Sequence, residues 1–423
     1  MKPTLFAKRT AMLMASAASA LILPMVPALA GPAFDACAAE AASQYEVGFE
    51  SIGRETWDID SDVAIEACTK ALEEEPDSPQ LKGWLARAYF AGGDTPSSVP
   101  LFEEAAEGGH VLALAIFGDM LTTGDGVDQD MERGAQLLLE GAEAGFALAQ
   151  NSMGLSYDFG EGVEQDYNEA ARWYRAAAEQ DMPKAQSNLG LMYQQGLGVP
   201  LDYVAAAAWF ERAVAAGDVS GEVNLGKLLQ DGLGQAADPA RAADLYRSAA
   251  DAGDMYGQNN LAFLLENGEG VEKDEAEAAK FYELAAEQGM ALAKHNLALL
   301  YEDGRGVKQN YNRAIKLYRE AAEGGEMRAA VNLGLLYMDG TGTDVDFVEA
   351  LKWTKTAADE DQPIGLNNMG HIYENGLGVD VDLASAKTYY EQSAAQGYQL
   401  AIDNLARLNE GGRPAGGGKT KSK

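Results

Sequence analysis

The chain has 423 residues, 47% of them hydrophobic and 23% charged, so it carries enough apolar material to fold and is not compositionally disordered. Lys and Arg number 32 against 66 Asp and Glu, and a net charge of −34 makes nucleic acids and anionic lipid surfaces poor partners, since both require a positive footprint. Two cysteines and three histidines leave little material for a metal or thiol centre, so we expect no cofactor and no metal.

The first thirty residues have the features of a secretory signal peptide. They begin with Lys2, Lys8 and Arg9, continue through an apolar run over residues 11–26 and end in Ala28-Leu29-Ala30, a small-x-small cleavage site. An uncleaved membrane anchor is the alternative, which two prolines near the end of the run disfavour because they would break a spanning helix. We therefore predict export to the periplasm, or alternatively secretion, with no membrane insertion after cleavage.

Both cysteines lie in the N-terminal part of the exported chain, at Cys37 and Cys68. In an oxidising compartment we expect them to form one disulfide, and two buried free thiols are the alternative. Redox catalysis is not predicted, because the two residues do not form a Cys-x-x-Cys pair.

The main feature of the sequence is a repeat with a period of 36 residues. A Gly-x-Gly motif recurs without insertion at residues 124/126, 160/162, 196/198, 232/234, 268/270, 304/306, 340/342 and 376/378. Eight full repeats therefore occupy residues 110–397.

Each repeat contains two helical patterns. In residues 290–325, apolar or small residues recur on one helical face from Ala291 to Glu302 and again from Tyr311 to Glu323. Gly304 stands where a helix end favours a left-handed residue. The residue before each second helix is an expected N-cap, at Asp130, Asp166, Asp202, Asp238, Asp274, Asn310, Asp346 and Asp382. One helix pair cannot bury its apolar face alone, so we expect the pairs to stack.

The repeats closely resemble Sel1-like repeats, which are relatives of the tetratricopeptide family. The residues that carry the resemblance are, in the second repeat, Ala149, Met153, Gly154, Tyr157, Gly160, Gly162, Val163, Asp166, Ala170, Trp173, Tyr174, Ala177 and Ala178. The resemblance implies an all-α fold, a right-handed α-solenoid of helix-turn-helix repeats. It also implies a scaffold that binds proteins and has no enzymatic activity.

The same resemblance organises the rest of the chain. Residues 31–109 read as an N-terminal cap with degenerate tetratricopeptide-like helices, and residues 398–409 read as a single C-terminal capping helix. The Gly-rich basic stretch at residues 410–423 is expected to be a disordered tail.

The sequence contains fragments of a phosphate-binding loop and of a calcium loop, but neither motif is complete. Gly416-Gly417-Gly418-Lys419-Thr420 lacks the first glycine and the following helix of a phosphate-binding loop. Asp58-Ile59-Asp60-Ser61-Asp62 is followed by Val63, where a calcium loop requires glycine. Some cysteine-rich relatives are associated with penicillin binding or β-lactam hydrolysis. Each of their repeats carries a disulfide, whereas the repeats of this chain contain no cysteine. We therefore predict that the protein is not an enzyme.

Candidate binding residues come from the groove that first helices line in tetratricopeptide-like arrays. The resemblance places the seventh residue of each repeat there, and six consecutive repeats have asparagine at that position: Asn188, Asn224, Asn260, Asn296, Asn332 and Asn368. In relatives that bind extended peptides, this asparagine pairs with the peptide backbone. The alternative is that each asparagine bonds a neighbouring helix and orders the stack.

Other residues at neighbouring groove positions are Tyr256, Asn259, Phe263, His295 and His371. Acidic residues at the helix ends would give the groove an acidic rim and favour a basic partner, unless they only keep the surface soluble. The leading hypothesis is a monomeric scaffold of the cell envelope that binds a partner protein or peptide in this groove. The alternative is a structural envelope protein without a groove ligand.

Overall fold

A computed structural model describes residues 31–49 and 51–411 of the chain. Within these residues it contains twenty-one α-helices, one short 3-10 helix and no β-strand, so the predicted all-α repeat fold is confirmed. None of the described helices is long and apolar enough to cross a bilayer. The predicted signal peptide and all but two residues of the predicted tail lie outside the described residues.

The chain divides into two compact parts, one ending at Ala177 and the other starting at Ala178. The first part contains the 3-10 helix Thr56–Asp58 and the helices α1 Pro32–Ala41, α2 Ser61–Glu74, α3 Pro79–Ala91, α4 Thr95–Glu107, α5 Val111–Thr123, α6 Met131–Glu143, α7 Ala147–Phe159 and, at its end, α8 Tyr167–Ala178.

The predicted disulfide joins Cys37 on α1 to Cys68 on α2, and both cysteines are fully buried. Buried polar groups fix the irregular chain between these two helices. The carboxylate of Glu46 accepts hydrogen bonds from Trp84 Nε1 at 3.0 Å and from His110 Nε2 at 2.9 Å. Hydrogen bonds to a charged acceptor are stronger than neutral ones, so this cluster holds residues distant in sequence together.

The second part consists of helix pairs closed by a single helix. Its helices are α9 Pro183–Gln195, α10 Tyr203–Ala215, α11 Val219–Asp231, α12 Pro239–Asp251, α13 Met255–Asn267, α14 Glu275–Glu287, α15 Ala291–Asp303, α16 Tyr311–Glu323, α17 Met327–Asp339, α18 Phe347–Asp359, α19 Pro363–Asn375, α20 Leu383–Ala395 and α21 Gln399–Asn409.

Local signals set the ends of these helices as predicted. Gly304 follows α15 with φ of +71°, and the side chain of Asn310 accepts a hydrogen bond from the backbone N–H of Arg313 in the first turn of α16. The other predicted N-cap residues accept first-turn N–H groups in the same way. Such caps satisfy backbone donors that a helix leaves unpaired.

A buried tyrosine lies on the second helix of several repeats, and in three of them it lies against a glycine on the first helix, as Tyr246 does against Gly226. Tyr318 is fully buried, and its hydroxyl donates to the carboxylate of Glu302 at 2.7 Å. Tyr282 makes the same bond to Glu266 at 2.9 Å. Burial and the nearby carboxylate raise the pKa of both tyrosines, so they remain neutral donors. In each pair the tyrosine ring is buried in the apolar core, while its hydroxyl has a hydrogen-bond partner in the carboxylate.

The second glycine of the Gly-x-Gly motif is required for contact with the neighbouring repeat. Gly306 has φ of +67°, and a Cβ there would clash with the backbone carbonyl of Glu275 on α14. We expect Gly306→Ala to lower the free energy of unfolding by about 2–3 kcal/mol, through backbone strain plus the clash. Urea unfolding followed by circular dichroism measures this.

Gly325→Ala is the matched control for Gly306→Ala. Gly325 has φ of +91°, but a Cβ there would meet open space. This variant should therefore lose only the strain contribution of about 1 kcal/mol. Equal losses in the two variants would contradict the role assigned to the inter-repeat contact.

Candidate functional site

A pocket of about 730 Å³ lies within the C-terminal part, on the first helices of consecutive repeats. Its walls come from α11, α13, α15, the loop after α15 and the start of α17, with Tyr282 contributed by α14. The residues that line it are Lys227, Gln230, Asn259, Asn260, Phe263, Glu266, Asn267, Tyr282, Leu292, Asn296, Leu299, Asp303, Arg305 and Arg328. The volume is in the range of pockets that bind ligands.

Helical spacing explains why these side chains share one surface. On α13, Asn260, Phe263 and Asn267 are three to four residues apart, which places them on one face of the helix. The 36-residue period places Asn296, Leu299 and the other α15 residues at matching positions one repeat further on. The pocket is therefore built from equivalent positions of successive repeats.

Side-chain hydrogen bonds connect the first helices at the wall of this pocket and beside it. Asn259 Nδ2 donates to Asn260 Oδ1 at 3.2 Å, and Asn296 Nδ2 donates to Asn259 Oδ1 at 3.3 Å. His295 continues the chain, with Nδ1 3.4 Å from Asn296 Oδ1 and Nε2 3.3 Å from Asn332 Nδ2. These bonds cross from α13 to α15 and from α15 to α17.

A second set of amides lies at the C-terminal end of the chain. Asn367 Nδ2 donates to Asn368 Oδ1 at 3.2 Å, and Asn404 on α21 donates to Asn367 Oδ1 at 2.9 Å. Contacts of this kind are what the stack-ordering alternative for the asparagines describes. At the pocket, the amides of Asn260 and Asn296 each offer two N–H groups and two lone pairs, and both side chains remain partly exposed, so a ligand can still bond them.

The predicted binding residues differ widely in exposure. Asn259, Asn260, Phe263 and Asn296 line the pocket together. Of these four, Asn260, Phe263 and Asn296 are at least partly exposed, and so are Asn188, Asn224 and Tyr256 elsewhere on the first helices. The structure buries His295, Asn332, Asn368 and His371, and Asn259 is only 5% exposed at the pocket wall, so none of these five side chains belongs to the exposed surface.

The charges of the pocket compensate one another locally. Arg305 bonds Glu266 at 2.6 Å and Asp303 at 3.3 Å, while Arg328 bonds Glu326 at 2.8 Å. Burial opposes the charged form of Arg305, but the bonds to Glu266 outweigh burial and raise its pKa. Two of the carboxylates at the helix ends, Glu266 and Asp303, are thus paired with a neighbouring arginine.

Arg305 was not predicted from the sequence as a residue of the site, although its residue type is unusual for its repeat position. The residue between the two glycines is acidic, leucine or threonine in the other seven repeats, and it is a cation only in this one. Within residues 31–49 and 51–411, no group of three or more His, Cys, Asp or Glu side chains is arranged to hold a metal ion. The side chains that line the pocket offer hydrogen bonding, apolar contact and paired charge.

The family model of the Sel1 repeat matches residues 112–146, 147–182, 183–218, 219–254, 256–290, 291–326, 328–362 and 363–398. The chain belongs to the Sel1 repeat family. The resemblance drawn from its glycines, alanines and aromatic residues is thereby confirmed. Sel1 repeat proteins generally mediate protein–protein interactions, and their scaffold is typically non-enzymatic.

Two solved structures of Sel1 repeat proteins are similar to this chain over most of their length. One is c5321, a protective antigen present in uropathogenic Escherichia coli strains, with 27% identity, coverage of 84% of each chain and a TM-score of 0.56. The other is a Sel1 repeat protein from Oxalobacter formigenes, with 29% identity, coverage of 73% of this chain and 89% of that one, and a TM-score of 0.55. No curated protein sequence matches this Sel1 repeat protein significantly.

Proposed function

We propose that this Sel1 repeat protein is a non-enzymatic adaptor that binds an extended segment of a partner protein in the pocket on α11, α13, α15 and α17. The observation that carries the proposal is the combination of partly exposed amides at Asn260 and Asn296 with the exposed side chain of Phe263. An extended peptide has N–H and C=O groups that must be paired on binding, and asparagine can pair with either. Phe263 adds apolar contact.

The proposal places the adaptor outside the cytoplasm, as a monomer. The buried disulfide between Cys37 and Cys68 supports this location, because such bonds persist in oxidising compartments. The signal peptide predicted for residues 1–30 gives the route, to the periplasm or beyond it. In the same proposal, residues 31–109 cap one end of the repeats and α21 closes the other.

Replacing Asn260 and Asn296 together with alanine should weaken peptide binding by about 10- to 100-fold, since two hydrogen bonds contribute roughly 0.5–1.5 kcal/mol each. The ligand for the measurement is the tightest peptide selected on the purified protein from a displayed library of random 12-residue sequences. Fluorescence anisotropy of the labelled peptide gives Kd for the protein and the variant.

Asn312→Ala is the control for this double variant, because Asn312 is exposed on α16, outside the pocket. Its Kd should equal that of the unchanged protein. If the double variant bound normally but melted at a much lower temperature, the asparagines would only order the stack. If no peptide were selected at all, the structural alternative would replace the adaptor.

A further inference from the structure

The fifth repeat presents an unusual surface within the pocket region. On α13, Tyr256, Asn260 and Phe263 are spaced four and three residues apart and so share one helical face. Tyr256 is 52% exposed and Phe263 is 41% exposed. Among the eight repeats, only this one has Phe, Tyr or Trp at these two repeat positions. Its face therefore alternates aromatic, amide and aromatic side chains.

The neighbouring repeats continue this face with different side chains. One repeat earlier, Lys227 on α11 stands at the position of Phe263, and one repeat later Leu299 on α15 does. All three line the pocket, as does Leu292, which stands at the position of Tyr256 one repeat later. A ligand that fills the pocket therefore meets three consecutive first helices.

The distance between these helices sets the period of an extended ligand. The bond from Asn296 to Asn259 joins α13 and α15 through their side chains, and for neighbouring first helices linked in this way we take a spacing of about 10 Å, the upper end of the range for packed helices. In a polyproline II helix three residues advance about 9.3 Å, and they complete one turn. A polyproline II segment crossing the helices thus turns the same side toward each repeat.

A β-strand does not match this geometry. Its residues rise about 3.3 Å each and alternate between two faces, so residues three apart point in opposite directions. A β-strand would meet successive repeats with alternate faces, although the repeats present equivalent positions. The repeat spacing favours a ligand with a period of three residues.

Proline suits the chemistry of the same face. Its carbonyl oxygens remain available while it has no N–H, and the amide N–H groups of Asn260 and Asn296 can donate to such carbonyls. Aromatic surfaces pack against proline rings in grooves that recognise polyproline II segments. Phe263 and Tyr256 supply such surfaces on either side of Asn260.

The charges of the pocket and of the whole chain favour some ligands over others. Lys227 bonds Asp231 at 3.2 Å, Arg305 bonds Glu266 and Arg328 bonds Glu326. Each cation that lines the pocket therefore already has a carboxylate partner within the protein. The chain as a whole carries a net charge of −34, which repels an acidic segment. A neutral or basic ligand fits these charges.

We propose that the face formed by Tyr256, Asn260, Phe263, Asn296 and Leu299 binds a neutral or basic, proline-containing segment in the polyproline II conformation. This inference rests on the proposed function and specifies its ligand. Residues three apart in the segment contact α11, α13 and α15 in turn. The apolar residues among them pack on Phe263 and Leu299.

The test uses two labelled 12-residue peptides, one of four Leu-Pro-Pro triplets and one of four Leu-Ser-Ser triplets. Anisotropy titrations should show at least about 10-fold tighter binding of the proline peptide, and Phe263→Ala should remove this preference. Phe159→Ala is the matched control, because Phe159 is 66% exposed at the end of α7, and it should change neither Kd. Equal binding of the two peptides, or no effect of Phe263→Ala, would overturn the inference.

The library-selected peptide separates this inference from the proposed function. If that peptide binds in a way that depends on Asn260 and Asn296 while the proline peptide does not bind, the polyproline II inference is wrong and the adaptor proposal stands. If neither peptide shows binding that depends on these asparagines, both are wrong.

Discussion

Replacing Cys37 and Cys68 with alanine is expected to lower the free energy of unfolding of the N-terminal part by about 3–4 kcal/mol. The disulfide closes a loop between residues 31 positions apart, and it restricts the unfolded chain. Among the described residues between α1 and α2, the regular structure is a 3-10 helix of three residues, so the crosslink has little regular structure to assist it. Hydrogen exchange of peptides from α1, α2 and α3, measured by mass spectrometry, gives the local opening free energy.

The unchanged protein under reducing conditions is the control for this variant. Reduction keeps both sulfur atoms in the core, so it separates loss of the crosslink from loss of packing at two fully buried positions. Similar exchange in the reduced protein and the alanine variant would assign the effect to the crosslink. Unchanged protection of α1 in both would mean that packing and the Glu46 cluster hold this helix without the disulfide.

The sequence was sufficient to predict the repeat fold because the determinants are local. Gly304 ends α15 and Asn310 starts α16 through contacts within a few residues, and the 36-residue period places equivalent residues in every repeat. Predicted and observed bounds of these two helices agree within one residue. Local backbone preference and the repeat pattern indicated the same structure.

Exposure at the candidate site could not be predicted in the same way. Asn296 and Asn332 occupy the same repeat position, yet Asn296 lines the pocket and Asn332 is buried. Both side chains bond the preceding first helix, Asn296 to Asn259 and Asn332 to His295, so neither the repeat position nor this bond decides the exposure. A period identifies equivalent backbone positions, but not which side chains cover them.

The bonds between buried tyrosines and carboxylates could have been predicted from the sequence, unlike the exposure of the asparagines. The structure shows the bonds between Tyr318 and Glu302 and between Tyr282 and Glu266, which sequence reasoning missed. A signal existed, because the seventh repeat has Thr354 in place of the tyrosine and Met338 in place of the acid. Paired loss of both partners at a spacing of 16 residues indicates a contact.

Arg407→Met is expected to lower the free energy of unfolding of the last repeat and α21 by about 3–5 kcal/mol, because it leaves a buried carboxylate without its cation. Arg407 on α21 donates two hydrogen bonds to Glu374, at 2.6 and 2.7 Å, and Tyr390 donates a third at 2.8 Å. Glu374 is buried, and water cannot replace the lost guanidinium. Faster hydrogen exchange of α19 and α21 would report the loss.

Lys355→Met is the control for Arg407→Met. Lys355 pairs with Asp359 four residues later, and both side chains are exposed, so losing this ion pair should change the stability very little. Exchange of α21 should be unchanged in this control. A loss in Arg407→Met as small as in the control would show that the bond from Tyr390 satisfies Glu374 without the arginine.

The pH dependence of the stability lost in Arg407→Met distinguishes loss of the charge interaction with Glu374 from loss of side-chain packing. Burial opposes ionisation of Glu374, but the bonds from Arg407 and Tyr390 outweigh burial and lower the pKa of this carboxyl. Because the folded pKa lies below the unfolded value of about 4.3, the stabilisation is present above that pH and is lost as pH falls through the folded pKa. In Arg407→Met, burial without a cation should raise the pKa of Glu374, so protonation relieves the variant as the solution becomes acidic. The difference in stability between the protein and the variant should therefore shrink between pH 7 and pH 4, and a constant difference would attribute the loss to packing of the arginine side chain.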